Sequence, residues 1–326
     1  MSAQDRTLDQ YQQFMRINAA ANLFRLAREM GVLSELREGQ RTLEQLCEKL
    51  SLRPEPTKLM MDALVATNII EQYEDDYALS RVAHLLCEYD QDLGDATWGR
   101  LPEQLKGDQP PVDDQSYLDA NAATQWVHTP SAIQAAEILN LGGEGEVEGP
   151  SILDLGCGSG VWSSAMAHRD PKATVTAVDT AAALQAAKST ADSIGLGDRF
   201  QGIEADSGQV ELSQDAYDIV VLAQRLSGQS AAGGRDLLAK AIEATKPGGR
   251  LVVIDLLRGP TTPDISECME ALKIELQTNE GYMRTLEEIQ AELSELGLEQ
   301  VQFTFLADSR VNMGMAVGTR PTPLAD

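Results

Sequence analysis

Ser151-Ile-Leu-Asp-Leu-Gly-Cys-Gly-Ser-Gly-Val161 is the stretch whose reading decides the fold. A short apolar run, Ile152 to Leu155, stops at three glycines spaced by single residues: Gly156, Gly158 and Gly160. An amphipathic helical pattern begins near Val161. A buried parallel strand that enters a glycine turn and then a helix brings backbone N–H groups close to a ligand. The expectation is a nucleotide site.

The sequence beyond this turn alternates between the two periodicities. Ala173 to Val178 reads as a second strand ending at Asp179, and Ala181 to Ile194 as a helix stopped by Gly195. Phe200 to Ala205 is a third strand, closed by Asp206-Ser207. Tyr217 to Leu222 is a fourth, followed by Ala223-Gln-Arg-Leu-Ser227. A helix from Arg235 to Thr245 leads through Lys246-Pro-Gly-Gly249 into a fifth strand, Arg250 to Asp255. Helices then follow over Ile265–Leu276 and from the capping box Thr285-Leu-Glu-Glu288 to Gly297. Two closing runs, Val301–Leu306 and Val311–Val317, have no helix between them and predict an antiparallel hairpin at a sheet edge. The fold class is α/β, a doubly wound Rossmann-like sheet.

The N-terminal third is patterned differently. Residues 8–30 form one long helix, with Leu8, Tyr11, Met15, Ala19, Leu23, Leu26 and Met30 in one apolar stripe. Phe14, Ile17, Ala21 and Phe24 form a second. Two stripes suit either a broad core face or a helix that also meets a partner chain. Val32–Arg37, a helix from the capping box Thr42-Leu-Glu-Gln45, another from Pro54 and Pro56 to Thr67, and a hairpin Ile69–Leu79 turning at Glu74-Asp-Asp76 make a winged helix. Its second helix carries Lys58 but also Glu55 and Asp62, and the wing tip is acidic, so a dimerisation role is favoured over DNA binding.

Between these parts lies a weaker pattern with Trp98, Trp126 and His128, in a loop (Asp108–Asp114) and a helical stretch from Tyr117 to Asn140 broken near Thr129-Pro130. Aromatic residues so placed line an acceptor pocket or serve as ordinary core. Gly142-Gly-Glu-Gly-Glu146 reads as a flexible acidic linker. The expected domains are 1–90, winged-helix dimerisation; 91–148, helical connector; and 149–326, nucleotide binding.

Composition narrows the partners. The 326 residues carry 51 acidic and 26 basic side chains, a formal charge of −25, which disfavours nucleic acid and anionic membrane surfaces. Cys47, Cys87, Cys157 and Cys268 are scattered without metal-ligand spacing, which fits reduced thiols in the cytoplasm and no metal site. No targeting signal or membrane-length apolar run is present in the sequence given.

Spacing excludes two kinds of nucleotide. The dinucleotide pattern G-x-G-x-x-G requires glycine at Val161, and no Gly-Lys-Ser/Thr follows for a phosphate loop. What remains is Asp154-x-Gly-x-Gly-x-Gly160, with Asp179 placed to accept from ribose hydroxyls and Asp206 on the same edge. Ile152–Gly160, Asp179, Ala205-Asp206, Tyr217-Asp218 and Lys246-Pro-Gly-Gly249 together resemble class I S-adenosylmethionine (SAM)-dependent methyltransferases. With the winged helix and Glu280-Gly-Tyr-Met-Arg-Thr-Leu-Glu-Glu288, the chain resembles the homodimeric small-molecule O-methyltransferases of plant caffeate and bacterial antibiotic type.

That resemblance implies SAM as cofactor and S-adenosylhomocysteine (SAH) as product. Asp154, Gly156, Gly158 and Gly160 would hold its methionine part and Asp179 its ribose; Asp206 and Ser207 would meet the adenine, and Ala223 and Gln224 lie near the methionine tail or methyl group. Trp126, His128, Met269 and Met283 would line the acceptor pocket. The family's histidine base falls at Ser227, its first supporting acid at Asp255, and its second at Met283. One part of three survives, so deprotonation by this constellation is not supported. His128 is the histidine with a path to the cleft; His84 and His168 lie on helices elsewhere. The expected function is methyl transfer by proximity and alignment to a small aromatic or polycyclic acceptor. The competing reading is a SAM-fold protein that binds ligand without transferring methyl.

Overall fold

A computed structural model describes residues 3–89, 92, 94–108, 110–259 and 261–323. Gln91, the expected start of the connector, and Gln109 of the acidic loop lie outside the described residues. The chain divides into two compact units, Met1–Ala96 and Thr97–Asp326.

The first unit opens with a helix over Ala3–Glu29. Only its C-terminal end meets the unit's core: Ala27 is buried, with Leu23 and Phe24 packed beside it. Leu8, Tyr11, Phe14, Met15 and Ile17 are at least half exposed in the single chain. Thr42 and Gln45 form the anticipated capping box, and the next helix, Pro54–Ala66, starts on its proline. Strands β1 (Arg41–Thr42), β2 (Ile70–Tyr73) and β3 (Asp76–Leu79) form a small antiparallel sheet in the order β1-β3-β2. The β2–β3 turn passes through Glu74 at φ +55°.

The second unit contains the doubly wound sheet. Its strands are β4 (Ser151–Leu155), β5 (Thr174–Asp179), β6 (Phe200–Glu204), β7 (Tyr217–Ala223), β8 (Thr245–Leu256), β9 (Glu299–Phe305) and β10 (Met313–Thr319). They lie in the order β6-β5-β4-β7-β8-β10-β9. The first five pair in parallel, while β10 is antiparallel to both neighbours, which places β9 at the edge. The expected α/β architecture with a closing antiparallel pair is therefore present.

Alternation along the central strands feeds two apolar layers. Ile152, Val175, Ile219, Val221, Val252 and Ile254 face helices Thr129–Ile138 and Val161–Arg169. Leu153, Leu155, Val220, Leu222, Leu251 and Val253 face helices Ala231–Ala244 and Leu286–Glu295.

The boundaries shift in three places. The break in the 117–140 stretch is a 3₁₀ turn at Gln125–His128; Thr129 and Pro130 instead begin the next helix, because proline suits a first turn. Lys246-Pro-Gly-Gly249 lies inside β8. The glycine-rich stretch before β4 is a packed connection and not a free linker: Glu146 pairs with Arg250 at 2.8 Å, and a Cβ on Gly142 would meet the Arg169 carbonyl at 2.7 Å.

Among the described residues no helix is long and apolar enough to cross a membrane. Leu153 is wholly buried in the central strand. Leu153→Ala should therefore lower stability by about 2–5 kcal/mol through lost transfer energy and an unfilled cavity. Urea unfolding followed by circular dichroism measures this.

Candidate functional site

The carboxyl ends of β4, β5, β6 and β7 form one edge, and the residues flagged in the sequence for cofactor binding gather there. Gly156 and Gly158 occupy left-handed conformations, at φ +82° and +55°. The N–H groups of Gly156 and Cys157 both donate to the Val178 carbonyl, at 2.8 and 3.2 Å. Gly158 N–H donates to Asp179 Oδ2 at 2.9 Å, and Gly160 N–H to the Cys157 carbonyl at 2.9 Å. The Gly156, Cys157 and Gly158 amides thus brace the turn against the end of β5, and the Gly160 amide closes the turn on itself. Carboxylates, not amide donors, give this edge its polarity, which suits hydroxyls and cations better than phosphates.

Gly156, Gly158, Asp179, Ala223 and Gln224 line a narrow cleft. Its roof comes from the helix Asp114–Thr124, through Gln115, Leu118, Asn121 and Ala122, and from Gln125. Gln125 is buried, and its Oε1 accepts a hydrogen bond from the Ser159 hydroxyl at 3.0 Å. A neighbouring cavity of about 400 Å³ is lined by Asp206 and Ser207. Asp206 Oδ1 accepts from the N–H groups of Gly208 and Gln209, at 2.8 and 3.0 Å, which fixes that turn. Gly160 lines neither cavity; it begins the helix Val161–Arg169 in the left-handed region and packs against Ala187.

Asp154 lies one layer beneath the turn, fully buried. It shares the apolar face of Ile152, and Ser163 donates its hydroxyl to Oδ2 while Oδ1 has no partner. Burial pushes its carboxyl up to about 7, with Asp179 adding to the rise and the Ser163 hydrogen bond opposing it. A buried acceptor left over at this position suits a hydrogen-bonding cation.

Gln224 follows β7 with φ +56°, an uncommon conformation for glutamine. Its N–H donates to the Ile254 carbonyl at 2.7 Å, and its Oε1 accepts from Trp162 Nε1 at 3.2 Å. His128 stacks on the same indole, with ring centroids 6.0 Å apart and 22° between planes. Burial holds its imidazole below the usual histidine range, against an opposing pull from Glu270.

The base position is a closed, packed cluster. Ser227 is buried, and its Oγ and the Tyr117 hydroxyl share a hydrogen bond of 3.0 Å. Tyr117, Ile274 and Met283 pack together around this point. Burial pushes the Tyr117 phenol up to about 12, and the negative charge of Asp255 adds to the shift. Asp255 accepts the Ser227 N–H at 2.9 Å and its neighbour Leu256 N–H at 2.8 Å; burial raises its carboxyl. Asp255 therefore holds the backbone of the loop. Arg284, next to Met283, does the same from the other side through the carbonyls of Leu226 and Ser230.

Trp126, His128, Met269 and Met283 line neither cavity. Met283 belongs to the packed cluster, His128 to the Trp162 stack, Trp126 is 40% exposed, and Met269 sits half-buried on the helix Ile265–Gln277. Asp218 and Lys246 lie at the opposite sheet edge. Lys246 Nζ meets both Asp218 oxygens at 2.9 and 2.8 Å, and the Ser151 hydroxyl donates to Asp218 Oδ2 at 2.6 Å. These family-like positions tie strands together.

Sequence reasoning passed over Arg225, Gln125 and Tyr117. A charged residue directly after a buried strand was a visible signal for Arg225. The helix Asp114–Thr124 offered none, having no marked apolar face.

Comparison with known proteins agrees with this geometry. Residues 152–249 match a family model described as a methyltransferase domain. The N,N-dimethyltransferase OxyT of Streptomyces rimosus is 26% identical over 296 residues, 82% of this chain and 84% of that protein. The release factor glutamine methyltransferase of Chlorobaculum tepidum is 43% identical over 74 residues, 22% of this chain; the match spans only 25% of that enzyme. The crystal structure of human N-acetylserotonin methyltransferase in complex with SAM superposes with a TM-score of 0.69 at 18% identity, covering 99% of both chains. The chain has the fold of the class I SAM-dependent methyltransferases.

Asp154 makes stability depend on pH. Its folded value of about 7 lies above the ordinary 3.8. The protonated form is favoured on folding, so its contribution is complete below about pH 4 and is lost as pH rises through 7, on the order of 4 kcal/mol. In paired urea titrations at pH 5 and pH 8, Asp154→Asn should lose less stability on going to pH 8 than the wild type. Tyr117→Phe should cost about 1 kcal/mol by removing the buried hydrogen bond between Tyr117 and Ser227, read from the same unfolding curves.

Proposed function

We propose that this chain, whose residues 152–249 form a methyltransferase domain, transfers the methyl group of SAM to a small aromatic or polycyclic acceptor. The observation that carries the proposal is the character of the glycine turn. Its amides are turned inward, an orphaned carboxylate oxygen lies beneath it, and Asp179 stands at its edge. That donor set matches a hydroxylated, cationic nucleoside and mismatches a dinucleotide or a triphosphate.

When bound, SAM supplies an electrophilic methyl group on a sulfonium. Asp179 would accept from its ribose hydroxyls, Asp206 and Ser207 would meet the adenine side, and Asp154 Oδ1 would face the cationic amino-acid end. Gly156 and Gly158 keep the floor open: a Cβ at Gly158 would lie 3.2 Å from the Gln125 side chain. The acceptor's nucleophile attacks the methyl carbon as the carbon–sulfur bond breaks, leaving SAH. Its proton goes to solvent or is already gone, because Ser227 is bonded to Tyr117, Asp255 to backbone amides, and His128 lines neither cavity. Alignment supplies the rate.

A second reading, binding without methyl transfer, is favoured by one observation: Tyr117, Ile274 and Met283 close the position where the family's base would act. Incorporation of labelled methyl from SAM into extract or candidate phenols decides between them. Cofactor binding without incorporation selects the second.

The exposed apolar face of the helix Ala3–Glu29 supports a homodimer assembled through the N-terminal unit. The four free cysteines suit a reducing cytoplasm. Light scattering should report a dimer at micromolar concentration, and Phe14→Glu with Ile17→Glu should give monomers. A wild-type monomer would refute the assembly.

Titration calorimetry should show binding of SAM and SAH, weakened by about 1–3 kcal/mol in Asp179→Ala. Unchanged affinity removes Asp179 from the ribose. Because a bound cation favours ionised Asp154, SAM affinity should rise towards pH 7 by at most about tenfold per unit and then level off, with proton release on binding tracking it. Asp154→Asn should flatten the profile.

A further inference from the structure

We infer that Arg225 is the residue that reads the nucleoside in the cofactor cleft, a role no motif in the sequence assigns to it. The inference rests on the SAM reading above and deepens it.

Arg225 projects from the end of β7 and is nine-tenths buried. A guanidinium out of water is normally paired with a carboxylate or fully hydrogen-bonded. Among the described residues Arg225 has no ion pair, and of its five N–H groups only one is used: Nη2 donates to Ser207 Oγ at 2.8 Å. Its Nε is buried without a partner. That pattern marks a donor kept for something else.

Its path supports the assignment. The side chain leaves the end of β7 and bonds Ser207, in the turn after β6, although β4 and β5 lie between those two strands in the sheet. It passes directly over the glycine turn. A Cβ on Gly156 would lie 2.4 Å from Arg225 Nε and 2.5 Å from Cδ, so glycine at 156 makes room for this arm. Arg225 lines both the cleft of Asp179 and the cavity of Ser207. A ligand that reaches both must lie against the guanidinium or displace it.

A planar cation with free in-plane donors suits the face or the acceptor edge of a purine. A phosphate is a poorer match, because Asp114, Asp206 and Asp236 line the same cavity. Ser207 then acts as the holder that keeps the plane in register.

The test is calorimetry with SAM, SAH and adenosine on folded wild-type protein and on Arg225→Met, Arg225→Lys and Ser207→Ala. Arg225→Met should weaken all three ligands by about the same factor, on the order of tenfold. Arg225→Lys should lose most of this affinity, because it keeps the charge but not the plane. Ser207→Ala, which removes one hydroxyl from the turn after β6, should weaken all three by a smaller common factor and keeps the test open if the arginine variants do not fold. Unchanged affinities overturn the assignment. Tighter SAM with unchanged SAH also overturns it, since that reports charge repulsion at the sulfonium. Absence of SAM and SAH binding to the wild type would instead remove the cofactor reading itself.

Discussion

Two amide hydrogen bonds, from Gly156 and Cys157 to the single carbonyl of Val178, set the geometry on which the rest of the site depends. They bend the chain leaving β4 back over the end of β5, and that bend requires the left-handed conformation at Gly156. Once the turn leans on β5, Asp179 is within reach of the Gly158 amide, and the helix Val161–Arg169 starts at the height that brings Ser163 over Asp154. The cleft floor, its acidic edge and the buried carboxyl beneath it are consequences of one carbonyl accepting twice.

The sheet and this turn were legible because both are local. Strand periodicity, terminal acids and glycine spacing are properties of short windows, and the expected strands appear with ends moved by a few residues. The roof was not legible. Gln125, Tyr117 and the helix that carries Tyr117 meet the glycine turn and Ser227 across large sequence separations, and nothing in Asp114–Thr124 distinguishes a covering helix from a surface one. The aromatic cluster misled for a related reason. Trp126 and His128 are adjacent in sequence to the cleft-facing Gln125, but the 3₁₀ turn sends Gln125 inward, leaves Trp126 exposed, and lays His128 on the Trp162 indole.

The loop after β7 is held from several sides. Asp255 holds the Ser227 amide, Arg284 holds two carbonyls of the same loop, and the Tyr117 hydroxyl bonds the Ser227 side chain. A segment tied down in this way keeps the residues beside the cleft in fixed positions, and fixed positions are what alignment of two reacting atoms requires.

The Lys246–Asp218–Ser151 knot lies at the end of the sheet away from the cleft and joins β4, β7 and β8 there. At the other end the Gly156 and Cys157 amides hold β4 to β5, and the Gln224 amide holds β7 to β8. The strands beneath the cleft are therefore clamped at both ends, and a substitution at either end is felt as a change in the register of the cleft floor.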